Sequence, residues 1–163
     1  MIEGTVLRYD ADDVNTDLIW PGKYTYQKLS PDEMAAHAME TLDPDFPAKA
    51  RQHGVLVVGR NFGCGSSREQ AAECLKHAGI SVVIAHSFAR IFFRNAINLG
   101  LPVVECEAAA HRARPGDSVS VDLSRGQLAL NGEAITFPPY PAQLLELIEA
   151  GGLVSHVRAR LSR

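Results

Sequence analysis

An apolar run, Val55-Leu56-Val57-Val58, passes without a break into Gly59-Arg60-Asn61-Phe62-Gly63-Cys64-Gly65-Ser66-Ser67-Arg68-Glu69-Gln70. An amphipathic run from Ala71 to Ala78 follows. Read together, these are a strand, a glycine-rich turn and a helix start. Three glycines within seven residues let the backbone take positive φ and let a ligand approach closely. Two serines and an arginine then stand where the first helical N–H groups point outward, a place suited to an anion. The stretch is therefore expected to grip a small carboxylate, with one serine taking part in the chemistry.

The rest of the chain supplies an α/β frame. Ile2 to Tyr9 reads as a first strand. Ser30-Pro31-Asp32-Glu33 has a cap, a proline at the first position and acids in the first turn, and so starts a helix carrying Met34, Ala35, Ala38 and Met39. Asp43 to Gln52, with two prolines, reads as a surface connection. Beyond the turn come Ser81 to Ala85 as a strand, about Phe88 to Leu99 as a helix and Leu101 to Val104 as a short strand. This alternation predicts a parallel sheet with right-handed crossovers. The later chain changes character. Ser118 to Leu123 alternates strictly, as a half-exposed antiparallel strand does. Asn131-Gly132 joins Gly126–Leu130 to Glu133–Phe137 as a hairpin, and Pro141–Ala150 and Leu153–Leu161 read as closing helices. At 163 residues the expectation is one domain over 1–163, a parallel half continuous with an antiparallel β half.

Several chemistries are weakened by what the motifs lack. A net charge of −3 argues against a nucleic-acid binder. No signal peptide is read at Met1-Ile2-Glu3-Gly4, and no apolar run reaches the ~20 residues of a membrane span. No membrane partner is expected, and cytoplasm is the default. Asp10 to Asp17 holds four aspartates in eight residues but lacks the glycine and glutamate of a calcium loop, so an Asx-rich turn is preferred to a metal site. Cys64, Cys74 and Cys106 are widely spaced, which suits neither a disulfide framework nor a self-contained metal or cluster site. A dinucleotide reading of Gly63-x-Gly65 fails at its third glycine, which is Arg68, and at the strand end, which is His86 rather than an acid. A nucleotide- or phosphate-binding module stays open as the alternative from another class. So does helix capping for the serines, since Ser66-x-x-Glu69 and Ser67-x-x-Gln70 both fit the capping-box pattern.

Asn61-Phe62-Gly63-Cys64-Gly65-Ser66-Ser67-Arg68-Glu69 and His86-Ser87-Phe88-Ala89-Arg90-Ile91-Phe92-Phe93-Arg94-Asn95-Ala96-Ile97-Asn98 strongly resemble the small subunits of 3-isopropylmalate dehydratase. Asp13-x-x-Thr16-Asp17-x-Ile19-x-Pro21-Gly22 matches the same family, and the three motifs fall in order within about Ile2 to Leu161. The resemblance implies the aconitase-type swivelling β/β/α domain. It implies a hydro-lyase that dehydrates and rehydrates a hydroxy-dicarboxylic acid, converting 2-isopropylmalate to 3-isopropylmalate in leucine biosynthesis. Dimethylmalate, citramalate-type or homoaconitate substrates are the related alternatives. It further implies activity only with a large subunit, which carries the [4Fe-4S] cluster. In that family Ser66 corresponds to the base, Ser67 and Arg68 hold a substrate carboxylate, and Asp17 matches an active-site aspartate. Tyr26 occupies the position that reads the substrate's distal group. Homoaconitate enzymes have arginine there, and isopropylmalate enzymes an apolar residue. A packing role for Tyr26 is the alternative. Lys23 and Lys28 compensate for the missing charge only if they turn inward. Gln70 departs from the family, which usually has histidine at that place.

Overall fold

A computed structural model of the chain describes residues 1–162. In chain order the elements are β1 (Ile2–Arg8), α1 (Thr16–Ile19), a 3₁₀ turn (Gly22–Tyr24), α2 (Pro31–His37), α3 (Phe46–His53) and β2 (Gly54–Val58). Then come α4 (Gln70–His77), β3 (Val82–Ala85), α5 (Arg90–Asn98), β4 (Val103–Glu105) and α6 (Glu107–Arg112). The chain finishes with β5 (Ser118–Asp122), β6 (Gln127–Leu130), β7 (Glu133–Thr136), α7 (Ala142–Glu149) and α8 (Leu153–Leu161).

All seven strands join one sheet in the order β4-β3-β2-β1-β5-β6-β7. β1 is the seam. It runs parallel to β2 in the register Val6↔Val55 and Leu7↔Leu56, and antiparallel to β5 in the register Ile2↔Val121. The parallel half (β1 to β4) and the antiparallel half (β5 to β7) expected from the sequence are thus one mixed sheet in an α/β fold.

Period-two alternation assigns each strand's side chains to two cores. Leu7, Leu56, Val58 and Val83 face a layer formed with Trp20, Phe46, Leu75 and Phe92 from the loops and helices. Val6, Val55, Val57 and Ile84 face the other way, onto Ala109, Val121, Leu128 and Phe137. β2 is therefore buried on both faces, which is why it reads as an uninterrupted apolar run.

Local signals set most element ends. At α2 the Ser30 side chain accepts from the Glu33 N–H (3.3 Å), and the Glu33 carboxylate accepts from the Ser30 N–H (2.7 Å), a complete capping box. Asn131 and Gly132 both have positive φ (50° and 85°), as a two-residue hairpin turn of this hand requires. Three helices differ from expectation, the first being α1, one helical turn that begins inside the segment read as an Asx-rich turn. The Asp43–Gln52 connection is helical from Phe46 as α3, with Pro47 in the first turn, where its missing N–H breaks no helical bond. Glu107–Arg112 forms α6, for which the sequence held no start or stop signal.

Three loops leave the C-terminal ends of β1, β2 and β3 side by side: residues 9–15, 59–69 and 86–89. In open α/β sheets this end is where ligands bind.

Candidate active site

The glycine–serine turn is held from both sides before it reaches α4. From the β1 side, the Asp12 carboxylate accepts from the Arg60 N–H (2.7 Å), and the Asp13 carboxylate accepts from the Asn61 side-chain amide (2.8 Å). Gly63 N–H donates to Val14 O and Thr16 N–H to Cys64 O, each at 2.8 Å, so the two loops pair like a short piece of parallel ladder. Asn15 caps α1 by accepting from the Leu18 N–H (3.0 Å). Asp12 and Asp13 thus brace the neighbouring loop rather than closing local Asx turns, and Asp10 pairs with the Arg8 side chain. From the β3 side, Phe62 N–H donates to Ser87 O (3.1 Å) and Ala89 N–H to Phe62 O (3.0 Å). Beneath the turn Phe62 packs edge-on to Phe92 at 5.2 Å between centroids. The Asn95 side chain, from α5, donates to Ser67 O (3.1 Å).

Neither serine caps the helix. α4 begins at Gln70 with Glu69 as its cap residue, and no side chain closes that end. The Ser66 N–H goes instead to Thr16 Oγ1 (3.1 Å), and the Ser66 hydroxyl lies 2.8 Å from the same oxygen. Thr16 is 2% exposed, so this hydroxyl pair is anchored from within the core. The capping reading of Ser66-x-x-Glu69 and Ser67-x-x-Gln70 is overturned: α4 starts only at Gln70, so both serines lie before its cap residue, and the Ser66 N–H goes to Thr16, fifty positions earlier, rather than to the Glu69 side chain. Among the described residues the N–H groups of Ser67, Arg68 and Glu69 find no acceptor. They lie at the positive end of the α4 dipole.

Arg68 NH1 donates to the Asp17 carboxylate in a short ion pair. The Arg68 side chain is about three-quarters covered, whereas the Asp17 side chain is 64% exposed. Gly22 lies against the pair: a Cβ there would sit 3.2 Å from Asp17 Oδ1 and 3.4 Å from an Arg68 nitrogen. Gln70 donates to Thr25 O (3.4 Å), joining the first residue of α4 to the loop that carries Tyr26. Tyr26 itself is 99% exposed and packs on nothing, which removes the packing role considered for it. Lys23 is turned away: its ammonium pairs with Glu40 (3.1 Å) and lies over the Tyr24 ring. The loop thus presents a tyrosine tip, with Lys23 already engaged.

Ser66, Ser67, Arg68 and Asp17 therefore fall in one place, and Tyr26 stands on a loop tied to the same helix end. Thr16 is the residue that sequence reasoning missed. The pattern Asp13-x-x-Thr16-Asp17 contains it, but only the fold brings it to Ser66. The cysteines do not form a cluster site. Cys74 and Cys106 are 0% and 7% exposed in opposite core layers, and burial pushes the Cys74 thiol up. Among the described residues no three His, Cys, Asp or Glu side chains gather to hold a metal. No helix among them is long and apolar enough to cross a membrane.

A family model described as the aconitase C-terminal domain matches residues 1–108. The chain is 47% identical over 159 residues to the 3-isopropylmalate dehydratase small subunit of Halothermothrix orenii, covering 96% of this chain and 95% of that one. It is 48% identical over 158 residues to the methanogen homoaconitase small subunit of Methanothermobacter thermautotrophicus, covering 96% and 90%. The crystal structure of 3-isopropylmalate dehydratase from Methanocaldococcus jannaschii superposes with a TM-score of 0.87 at 41% identity, covering 98% and 94%. A mixed sheet seamed at β1, with a serine turn latched over its parallel end and relatives matched along nearly their whole length, places the chain in the aconitase C-terminal domain family, among the small subunits of the 3-isopropylmalate dehydratase type.

Proposed function

We propose that this chain is the small subunit of a hydro-lyase that converts 2-isopropylmalate to 3-isopropylmalate in leucine biosynthesis by dehydration and rehydration, acting with a large subunit. The observation that carries the reading is the Thr16–Ser66 hydroxyl pair at an uncapped helix start, beside Arg68. It is supported by relatives whose names include both 3-isopropylmalate dehydratase and homoaconitase small subunits.

In this mechanism Ser66 takes the proton from the carbon next to a substrate carboxylate, and returns it during rehydration. A serine does this only as an alkoxide, so its negative form must be stabilised. An alkoxide has no hydrogen to donate, so Thr16, 2.8 Å away, must then be the donor of the bond they share. The open N–H groups of Ser67 to Glu69 and the α4 dipole add positive potential there without any reorganisation. Arg68 and Ser67 hold the carboxylate, and Asp17 fixes the guanidinium's orientation so that its remaining edge meets substrate. The chain's dispersed cysteines do not fit a [4Fe-4S] cluster, which we assign to the large subunit together with departure of the hydroxyl.

The distal group of the substrate is read by Tyr26. With Lys23 committed to Glu40, this loop offers an extra carboxylate only Lys28, so an isopropyl group is the better fit. The test is reconstitution with the large subunit and assay against isopropylmalate, dimethylmalate, citraconate and homoaconitate. Turnover of isopropylmalate is expected. Failure to turn over any hydroxy di- or tricarboxylic acid would overturn the proposal. In the same assay Tyr26→Arg should move the kcat/KM ratio toward homoaconitate by about 10-fold or more, the scale on which a new charge partner discriminates. An unchanged ratio would remove Tyr26 from substrate selection.

A further inference from the structure

Beside the glycine–serine turn lies a depression of about 590 Å³, lined by Asn61, Gly63, Gly65, Ala89, Arg90, Ile91 and Arg94. Three of these project from one face of α5. Phe92, Ala96 and Ile97 turn inward to the core, so Arg90, Ile91 and Arg94 are left exposed, with Ile91 at 47%. Among the described residues neither Arg90 nor Arg94 has a carboxylate within ion-pairing distance. Arg51, Arg114, Arg158 and Arg160 also lack one among the described residues; what sets Arg90 and Arg94 apart is that they flank an exposed isoleucine beside the glycine–serine turn.

This arrangement opposes the protein's own electrostatics. Two like charges four residues apart on a helix repel. Arg90 stands at the first position of α5, at the positive end of the dipole, and the cap residue Ala89 offers no side chain to close it. Isolated, the face has unfavourable positive charge with an apolar residue between the two guanidiniums. An anionic partner would relieve it.

We infer that Arg90, Ile91 and Arg94 form a docking surface for the large subunit, receiving a segment with carboxylates flanking an apolar side chain. This rests on the proposed function. The same turn, through Gly63 and Gly65, forms the floor of the depression and carries Ser66, so a partner that covers Ser66 must also cover this face. A partner protein is favoured over a small anion because the charges are spread over one helical turn around Ile91 rather than converging on a point.

The experiment is titration calorimetry of the small subunit with its purified large subunit at two salt concentrations, beside steady-state kinetics of the mixtures. Wild-type binding is measured first, so that failure of the pair to associate counts against the proposed function and not against the face. Arg90→Glu/Arg94→Glu is then expected to weaken binding on the order of 100-fold and to flatten its salt dependence. Its thermal transition should not fall, since neither arginine makes an intramolecular ion pair. Arg90→Lys/Arg94→Lys should keep most of the affinity. Binding within threefold of wild type for the glutamate variant would overturn the inference. So would unchanged binding with a raised KM, which would give the arginines to substrate instead.

Discussion

Ser66→Ala is expected to lower kcat of the reconstituted enzyme by about 10³- to 10⁴-fold and to leave subunit binding unchanged, since in the proposed mechanism it removes the group that moves the carbon-bound proton. The hydroxyl is small and sits at a turn already latched by backbone bonds, so its loss should not disturb the fold. Single-turnover kinetics with a substrate deuterated at the reacting carbon would check the assignment, because exchange of that deuterium with water should vanish with turnover. Retention of more than a tenth of the activity would take the base role from Ser66. Thr16→Val should fall between Ser66→Ala and the unaltered enzyme, losing about 10- to 100-fold, because it deprives the proposed alkoxide of one donor and leaves the Ser66 N–H unpaired. Thr16→Ser should restore most of that loss. A purely structural Thr16 would show equal damage in stability and none specific to kcat.

Gly63→Ala should have a large effect on stability. Gly63 has φ +81°, and a Cβ there would sit 2.2 Å from Cγ of Phe92, whose ring is held between Phe62 and Phe88. Left-handed strain of roughly 1–3 kcal/mol then adds to overpacking of roughly 1–3 kcal/mol. For a chain of this length the sum corresponds to a fall in melting temperature of roughly 4–24 °C, readable by calorimetry. Gly65 makes the contrast. Its φ of +101° is equally unsuited to a side chain, but a Cβ would meet nothing closer than Thr16 Oγ1 at 3.4 Å. Gly65→Ala should therefore cost less stability and act on the hydroxyl pair. Equal melting points for the two variants would show that Phe92 yields freely.

Much of this fold was legible because local chemistry agreed with it. β2 announces burial on both faces, Asn131-Gly132 announces a hairpin, and Ser30-x-x-Glu33 announces a cap that is present in full. α3 was hidden by its prolines: one precedes the helix and the other lies in its first turn, where proline is tolerated. The seam at β1 was not readable, because its two neighbours begin forty-six and over a hundred residues later and nothing in Ile2–Arg8 names them. The serines show the limit most sharply. Ser66-x-x-Glu69 and Ser30-x-x-Glu33 are the same local pattern, yet one serine caps a helix and the other does not. The difference lies in Thr16, which competes for the Ser66 N–H from a distant loop. The position of Tyr26 opposite a substrate was suggested by family resemblance alone, and its full exposure is what leaves that role available.

The double latch on the turn bears on how an enzyme divided between two polypeptides keeps its speed of assembly. Asp12, Asp13 and Val14 fix one side of the turn and Ser87 the other, all from this chain, so its half of the centre is finished before the subunits meet. Association then needs no segment to order, and encounter should proceed as between rigid bodies, at rates of about 10⁵–10⁷ M⁻¹s⁻¹. Such a half should keep the same turn geometry before and after it meets its counterpart.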